Sequence, residues 1–194
     1  VIGPRAYPSN QMLIHWPYRG NNYIHVMMPE GVKCRRESEE HRSHLFNGWR
    51  TATGFGYRSL GDGEWENSFD EPGVLQFRGR CHPIEARVEL ELALTNDTKQ
   101  VWHDVYVNVC VSLAAAPQFA DPGLERTFYA AAEGLKPVVR EGVSEWAHGF
   151  IAVASEDGAA TIAYGWPVQE KPDRPHVGDP ALACVHANPH YGTL

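Results

Sequence analysis

The chain reads as an all-β protein: an antiparallel two-layer sandwich of jelly-roll or supersandwich type with little helix, spanning residues 1–194 as one domain. Three observations predict it. Residues 84–94 alternate apolar and polar side chains, glycine and proline recur throughout (18 and 14), and almost no stretch keeps a helical spacing of apolar residues. Strict alternation is the period of a strand with one face in a core. An all-β chain of this length falls within the size of a single domain, and its folding buries about 70% of the extended surface, so disulfide staples are not required.

The segment 84–94 places Ile84, Ala86, Val88, Leu90, Leu92 and Leu94 on one side and Glu85, Arg87, Glu89, Glu91 and Ala93 on the other. Thr95-Asn96-Asp97-Thr98 supplies turn residues. A second strand, 101–113, follows, and the two read as an antiparallel hairpin. Its apolar face carries Val101, Val105, Val107, Val109, Val111 and Leu113. The opposite face carries Trp102, Asp104, Tyr106, Asn108, Cys110 and Ser112, polar but almost uncharged, which suits a groove or cavity better than open water. Further strands are expected at 12–16, 23–28, 51–57, 74–80, 150–154, 159–166 and 183–188. An Asp-Gly hairpin turn is expected at Glu156-Asp157-Gly158. The stretch 35–45 is long enough for a helix, although its face is mainly charged. Segments 117–124 and 168–180 read as long irregular loops, a length that often serves function.

Composition excludes several classes. A formal charge of −7 speaks against nucleic acid, and the longest basic run, Lys33-Cys34-Arg35-Arg36, is followed at once by Glu37, Glu39 and Glu40. No stretch approaches the roughly 18 apolar residues of a membrane span. The first ten residues lack the regions of a signal peptide, which leaves a cytoplasmic site or export after loss of a leader both open. The end at Tyr191-Gly192-Thr193-Leu194 reads as a cropped strand or turn. Nothing in the sequence addresses oligomeric state. Cys34, Cys81, Cys110 and Cys184 are far apart, which argues against a zinc ribbon and favours buried free thiols. GxGxxG, GxxxxGK[ST], GxSxG and HExxH are all absent.

Histidine stands out, at 10 residues. In Glu40-His41-Arg42-Ser43-His44 a helix would put His41 and His44 on one face at metal-ligand spacing; a charged surface turn is the competing reading. His82, between Cys81 and Pro83, fits a packed or capping residue. In 184–192 an extended backbone points Cys184, His186 and Asn188 the same way, and Pro189 turns the chain to bring His190 near. These groups can act as a general base or as ligands of a divalent or transition metal. Arg126, leaving a long loop, can clamp a carboxylate, or pair with Asp121 or Glu125. Trp16, Trp49, Trp65 and Trp166 offer flat faces for sugar rings, or else fill the core.

Three stretches, LTNDTKQVWHDVYVNVCVSLAAAP, FADPGLERTF and CVHANPHYGTL, resemble a group of bacterial β-sandwich proteins without an agreed activity, similar in fold to galactose mutarotase and polysaccharide lyases. The resemblance covers roughly residues 85–130 and 182–194. It implies Asn108, Arg126 and His186 as pocket residues. Where many members carry an acidic residue after the His, this chain has Asn188, and the strand that usually follows the last glycine is missing.

The sequence therefore leads to a carbohydrate-active enzyme performing lyase- or mutarotase-like proton transfer on a concave sheet face. His186 and Arg126 are the catalytic candidates, and Asn108, Tyr106, Asn188 and Trp166 the substrate-binding ones. A non-catalytic carbohydrate-binding module is one alternative. Another is a metal-dependent oxidase or hydrolase with ligands drawn from His41, His44, His186 and His190. The expected partner is a small molecule or oligosaccharide, with neither nucleic acid nor membrane.

Overall fold

A computed structural model describes residues 2–3, 11–16, 22–48, 56–131, 133–138, 150–166, 176–177, 184–186 and 188–194. It is 66% strand and 2% helix, and the sheets are antiparallel and not closed into a barrel, which is the all-β class the alternation predicts.

The strands are β1 (Ile2–Gly3), β2 (Gln11–Trp16), β3 (Asn22–Arg36), β4 (Ser43–Asn47), β5 (Arg58–Gly61), β6 (Glu64–Glu71), β7 (Leu75–Ile84), β8 (Arg87–Asn96), β9 (Trp102–Ser112), β10 (Thr127–Ala131), β11 (Gly134–Pro137), β12 (Phe150–Ala154), β13 (Thr161–Gly165), β14 (His176–Val177), β15 (Cys184–His186) and β16 (His190–Thr193). The largest sheet runs β1-β2-β3-β9-β15-β14, with β4 added to β3 and β16 to β9. A second sheet runs β5-β6-β7-β8 and a third β11-β10-β12-β13. Apolar residues from all three, among them Val32, Val107 and Val111, Leu75 and Phe77, and Ile151 and Val153, join one contiguous buried cluster. Among the described residues no helix is long and apolar enough to cross a membrane.

Turns appear where the residues demand them. The Asp157-Gly158 turn closes β12 on β13, with Gly158 at φ 68° and Ser155 N–H donating to Ala160 C=O at 2.8 Å. Pro72-Gly73 does the same between β6 and β7, with Gly73 at φ 75°.

Four expectations are corrected. The alternating segment is not one strand: Ile84 pairs with Arg87, and the chain reverses at Glu85-Ala86, with Glu85 left-handed at φ 48°. Nor do the two best strands form a hairpin. β8 pairs with β7, β9 pairs with β3 in the other sheet, and the Asn96–Gln100 stretch is a corner between them. Asn96 Oδ1 accepts from the Thr98 N–H at 2.9 Å and hydroxyl at 2.7 Å, which fixes that corner locally. The physical reason lies in the faces. β8 alternates apolar with charged residues, as the outer strand of a one-sided sheet should, whereas β9 carries no charge between Val105 and Ser112 and sits at the centre.

The third correction is Trp102, which is fully buried in the core rather than on the polar face, while Val101 is 40% exposed. A bulge turns the strand over: Asp104 is left-handed at φ 50°, and the register with β3 shifts between Lys33 and Arg35. The fourth is the stretch 35–45, which is the end of β3, a turn and the start of β4. Of the 51–57 strand, 51–55 lie outside the described residues and β5 begins only at Arg58. Leu90 and Leu92 pack on the core and Glu89 and Glu91 face water, as the alternation requires, but the two leucines are half-buried.

Candidate functional site

Register builds the site. Across the largest sheet, His25 of β3, Ser112 of β9 and Cys184 of β15 form one cross-strand row; Met27, Cys110 and His186 form the next. Facing partners in antiparallel strands share a face, and residues two apart on a strand return to it. Val185, between Cys184 and His186, points the other way into the main core beside Val111. Met27, Cys110 and Cys184 form a small buried cluster of their own on the polar side.

The two sulfurs are 3.3 Å apart. The ligand atoms of Cys110, Cys184 and His186 all lie within 4.8 Å of one another, and all three residues are buried. Cys110 S–H donates to Cys184, which also accepts from His186 and Ser112. These bonds favour the thiolate, so the Cys184 thiol is held well below the ordinary value, with the Cys110 bond the largest cause and burial opposing. Cys110, the donor in the pair, is pushed strongly upward. His25 is lowered by burial, the nearby Cys184 charge opposing. Glu30 approaches from β3, with Oε2 3.7 Å from Nδ1 of His186. It comes from a bulge: Met27 faces Cys110 and Gly31 faces Asn108, so Met28, Pro29 and Glu30 stand opposite Val109 alone.

The next rows continue the polar face. Asn108 lies opposite Gly31, a position with no side chain to fill the space, and its buried Oδ1 has no hydrogen-bond partner. Tyr106 lies opposite Lys33; Lys33 Nζ and Arg42 Cζ stand 5.9 and 5.5 Å from its ring centroid. Asn188 donates to the Tyr106 hydroxyl at 2.6 Å and accepts from Val109 N–H at 2.9 Å. Tyr164 of β13, whose hydroxyl burial raises well above its ordinary value, is within electrostatic reach of Cys110 and Tyr106.

Of the residues singled out from sequence, the structure gathers His186, Asn188, Tyr106 and Asn108 on this face. The remaining candidates have the following surroundings. Arg126 N–H groups donate to the carbonyls of Ala154 (2.9 Å), Gln118 (3.3 Å) and Ala120, and Asp121 accepts from its main chain at 2.7 Å. That guanidinium braces the loop around the short 3-10 turn Pro117–Phe119. Trp166 follows β13, and its indole N–H donates to Tyr164 at 2.7 Å. His41 is exposed in a turn and His44 is exposed on β4, so the shared helical face expected for that pair does not form. The backbone of His190 pairs with Tyr106 on β16; its side chain lies outside the described residues.

Sequence reasoning missed the partnership of Cys110 with Cys184, and it missed Glu30 and His25. The available signal was that both cysteines sit among polar neighbours on their strands' non-core side. No family profile, curated protein or solved structure matches the chain.

Proposed function

We propose that this face is the active site of a metal-dependent enzyme acting on a small polyhydroxylated substrate such as a sugar. Cys110, Cys184 and His186 hold the metal. The carrying observation is three buried soft and borderline donors within 4.8 Å of one another, set by strand register rather than by a loop. Two sulfurs and an imidazole suit zinc or another late transition metal and not magnesium or calcium. A structural zinc site closes with four protein ligands, whereas three leave a position for water or substrate. Among the described residues the group numbers three.

The bound metal would polarise a substrate oxygen. The chain's own groups do the rest. Glu30 places a carboxylate oxygen 3.7 Å from Nδ1 of His186. His25, whose pKa burial lowers, stands on the same face as a proton acceptor, and the Oδ1 of Asn108, opposite Gly31, takes a hydroxyl. An unmet buried acceptor costs about 1–3 kcal/mol, which a substrate hydroxyl returns on binding.

The test is cobalt substitution. The expected outcome is about one equivalent of Co(II) per chain with a thiolate charge-transfer band, lost in Cys184→Ser and in His186→Ala. Adding galactose or glucuronate should shift the ligand-field bands of the wild type, and less so those of Asn108→Ala. Cobalt or zinc bound at under about a tenth of an equivalent would overturn the metal centre. A normal cobalt spectrum indifferent to every sugar would leave the metal and remove the substrate class.

A further inference from the structure

We propose that Cys110 and Cys184 form an oxidisable dithiol, a modification site at which a peroxide makes a reversible disulfide between β9 and β15. This goes beyond the proposed metal centre, and its second consequence, loss of the metal on oxidation, rests on that reading.

The geometry carries it. The sulfurs are already 3.3 Å apart on adjacent antiparallel strands and the same face of the sheet. A disulfide needs about 2.05 Å, so the closing movement is little more than an ångström. The movement falls on β15, beyond which the sheet holds, among the described residues, only the two of β14, while β9 is fixed between neighbours at the sheet's centre. The other two thiols have no such partner. Cys34 is fully buried in the main core, and Cys81 lies on the other sheet, where Tyr57 is its neighbour.

The chemistry balances. The Cys184 sulfur attacks the peroxide O–O bond; an S–O bond forms, the O–O bond breaks, and the leaving hydroxide takes the proton that Cys184 had lost, giving water. The Cys110 sulfur then attacks the sulfenic sulfur, an S–S bond forms, and the S–O bond breaks. The Cys110 proton leaves with the departing hydroxide as a second water. Two electrons pass from the sulfur pair to one peroxide. A disulfide sulfur is a poor ligand, since a metal needs the thiolates. Oxidation therefore removes two of the three donors at once.

The experiment treats the purified protein as isolated with hydrogen peroxide, then alkylates and maps peptides without reductant. The expected result is loss of two of the four alkylatable thiols, a peptide pair joining Cys110 to Cys184, a mass lower by about 2 Da, and full reversal by dithiothreitol. A second arm loads zinc first and follows its release to a chromogenic chelator, which should track disulfide formation. Cys110→Ser should stop at a sulfenic acid trappable by dimedone. Oxidation of Cys184 straight to sulfinic acid in the wild type, or thiol loss spread equally over Cys34 and Cys81, would overturn the proposal. A disulfide formed in protein that never binds zinc sustains the dithiol and sinks the metal centre. Zinc binding without a Cys110–Cys184 disulfide does the reverse.

Discussion

Asn188 does the work of a strand residue from outside a strand. Between β15 and β16 the ladder along β9 is broken, and the Val109 N–H finds its acceptor in the Asn188 side chain instead. The other end of the same amide fixes the Tyr106 hydroxyl, so one residue both repairs the sheet and aims a ring into the site. Alternation alone made part of this legible: it put Cys184, His186 and Asn188 on one side, and Tyr106, Asn108 and Cys110 on one side. What a period of two cannot say is which strand lies next to which, and so the closeness of Cys110 to Cys184 was invisible. Glu30 was hidden for a different reason, because a bulge, not an alternating strand, delivers it. Arg126 was legible in part: its guanidinium stands 3.9 Å from Asp121, one of the two pairings its position suggested, but the carbonyls it binds are main-chain atoms, which no side-chain pattern reveals. Asn188→Ala leaves the Val109 N–H buried without an acceptor, and should cost about 1–3 kcal/mol in urea unfolding. Tyr106→Phe removes only one hydroxyl and should cost less. Equal, negligible effects from both would mean that water replaces the amide and that the ladder repair is not needed.

At the scale of elements, the second sheet joins a charged network to its apolar packing. Glu66 on β6 is 3% exposed, and its two oxygens accept from Arg58 on β5 at 2.6 Å and Arg80 on β7 at 2.7 Å. A buried carboxylate of this kind ties three neighbouring strands through one residue. The Arg58 and Arg80 hydrogen bonds hold its carboxyl below the ordinary 4.5, burial opposing. The sign of the pH effect follows. A depressed carboxyl binds its proton more readily in the unfolded chain, so its stabilisation is complete above the ordinary value and is lost as pH falls through the depressed one. Glu66→Gln should therefore lower the urea midpoint near neutrality and flatten its decline toward about pH 3. Parallel curves for variant and wild type would show that other carboxylates govern acid unfolding. The sequence did not mark this residue, because Glu64, Glu66 and Asp70 look alike as surface acids until β5 and β7 take their places on either side.

Over the whole molecule, the proposed metal centre joins parts of the chain that are distant in sequence. Cys110 stands on the central strand of the largest sheet, whereas Cys184 and His186 come from β15 more than seventy residues later. The main core contains residues of all three sheets, and on the site's own side of the sheet Met27, Cys110 and Cys184 form a separate cluster among the described residues. Such a site exists in the folded chain and not in the unfolded one. A metal that binds it must then stabilise the whole fold by mass action, by about 2.7 kcal/mol at a free concentration one hundred times the dissociation constant. Calorimetry of the protein with zinc and then with excess chelator should show the melting temperature rise and return. The same titration on Cys184→Ser separates this from zinc bound at scattered surface histidines such as His41 and His44, which that variant keeps. If the variant gained as much as the wild type, the stabilising metal would lie elsewhere. If neither gained, the trio would be a hydrogen-bonded thiol pair beside an imidazole, and the face would have to work through the Cys184 thiolate itself.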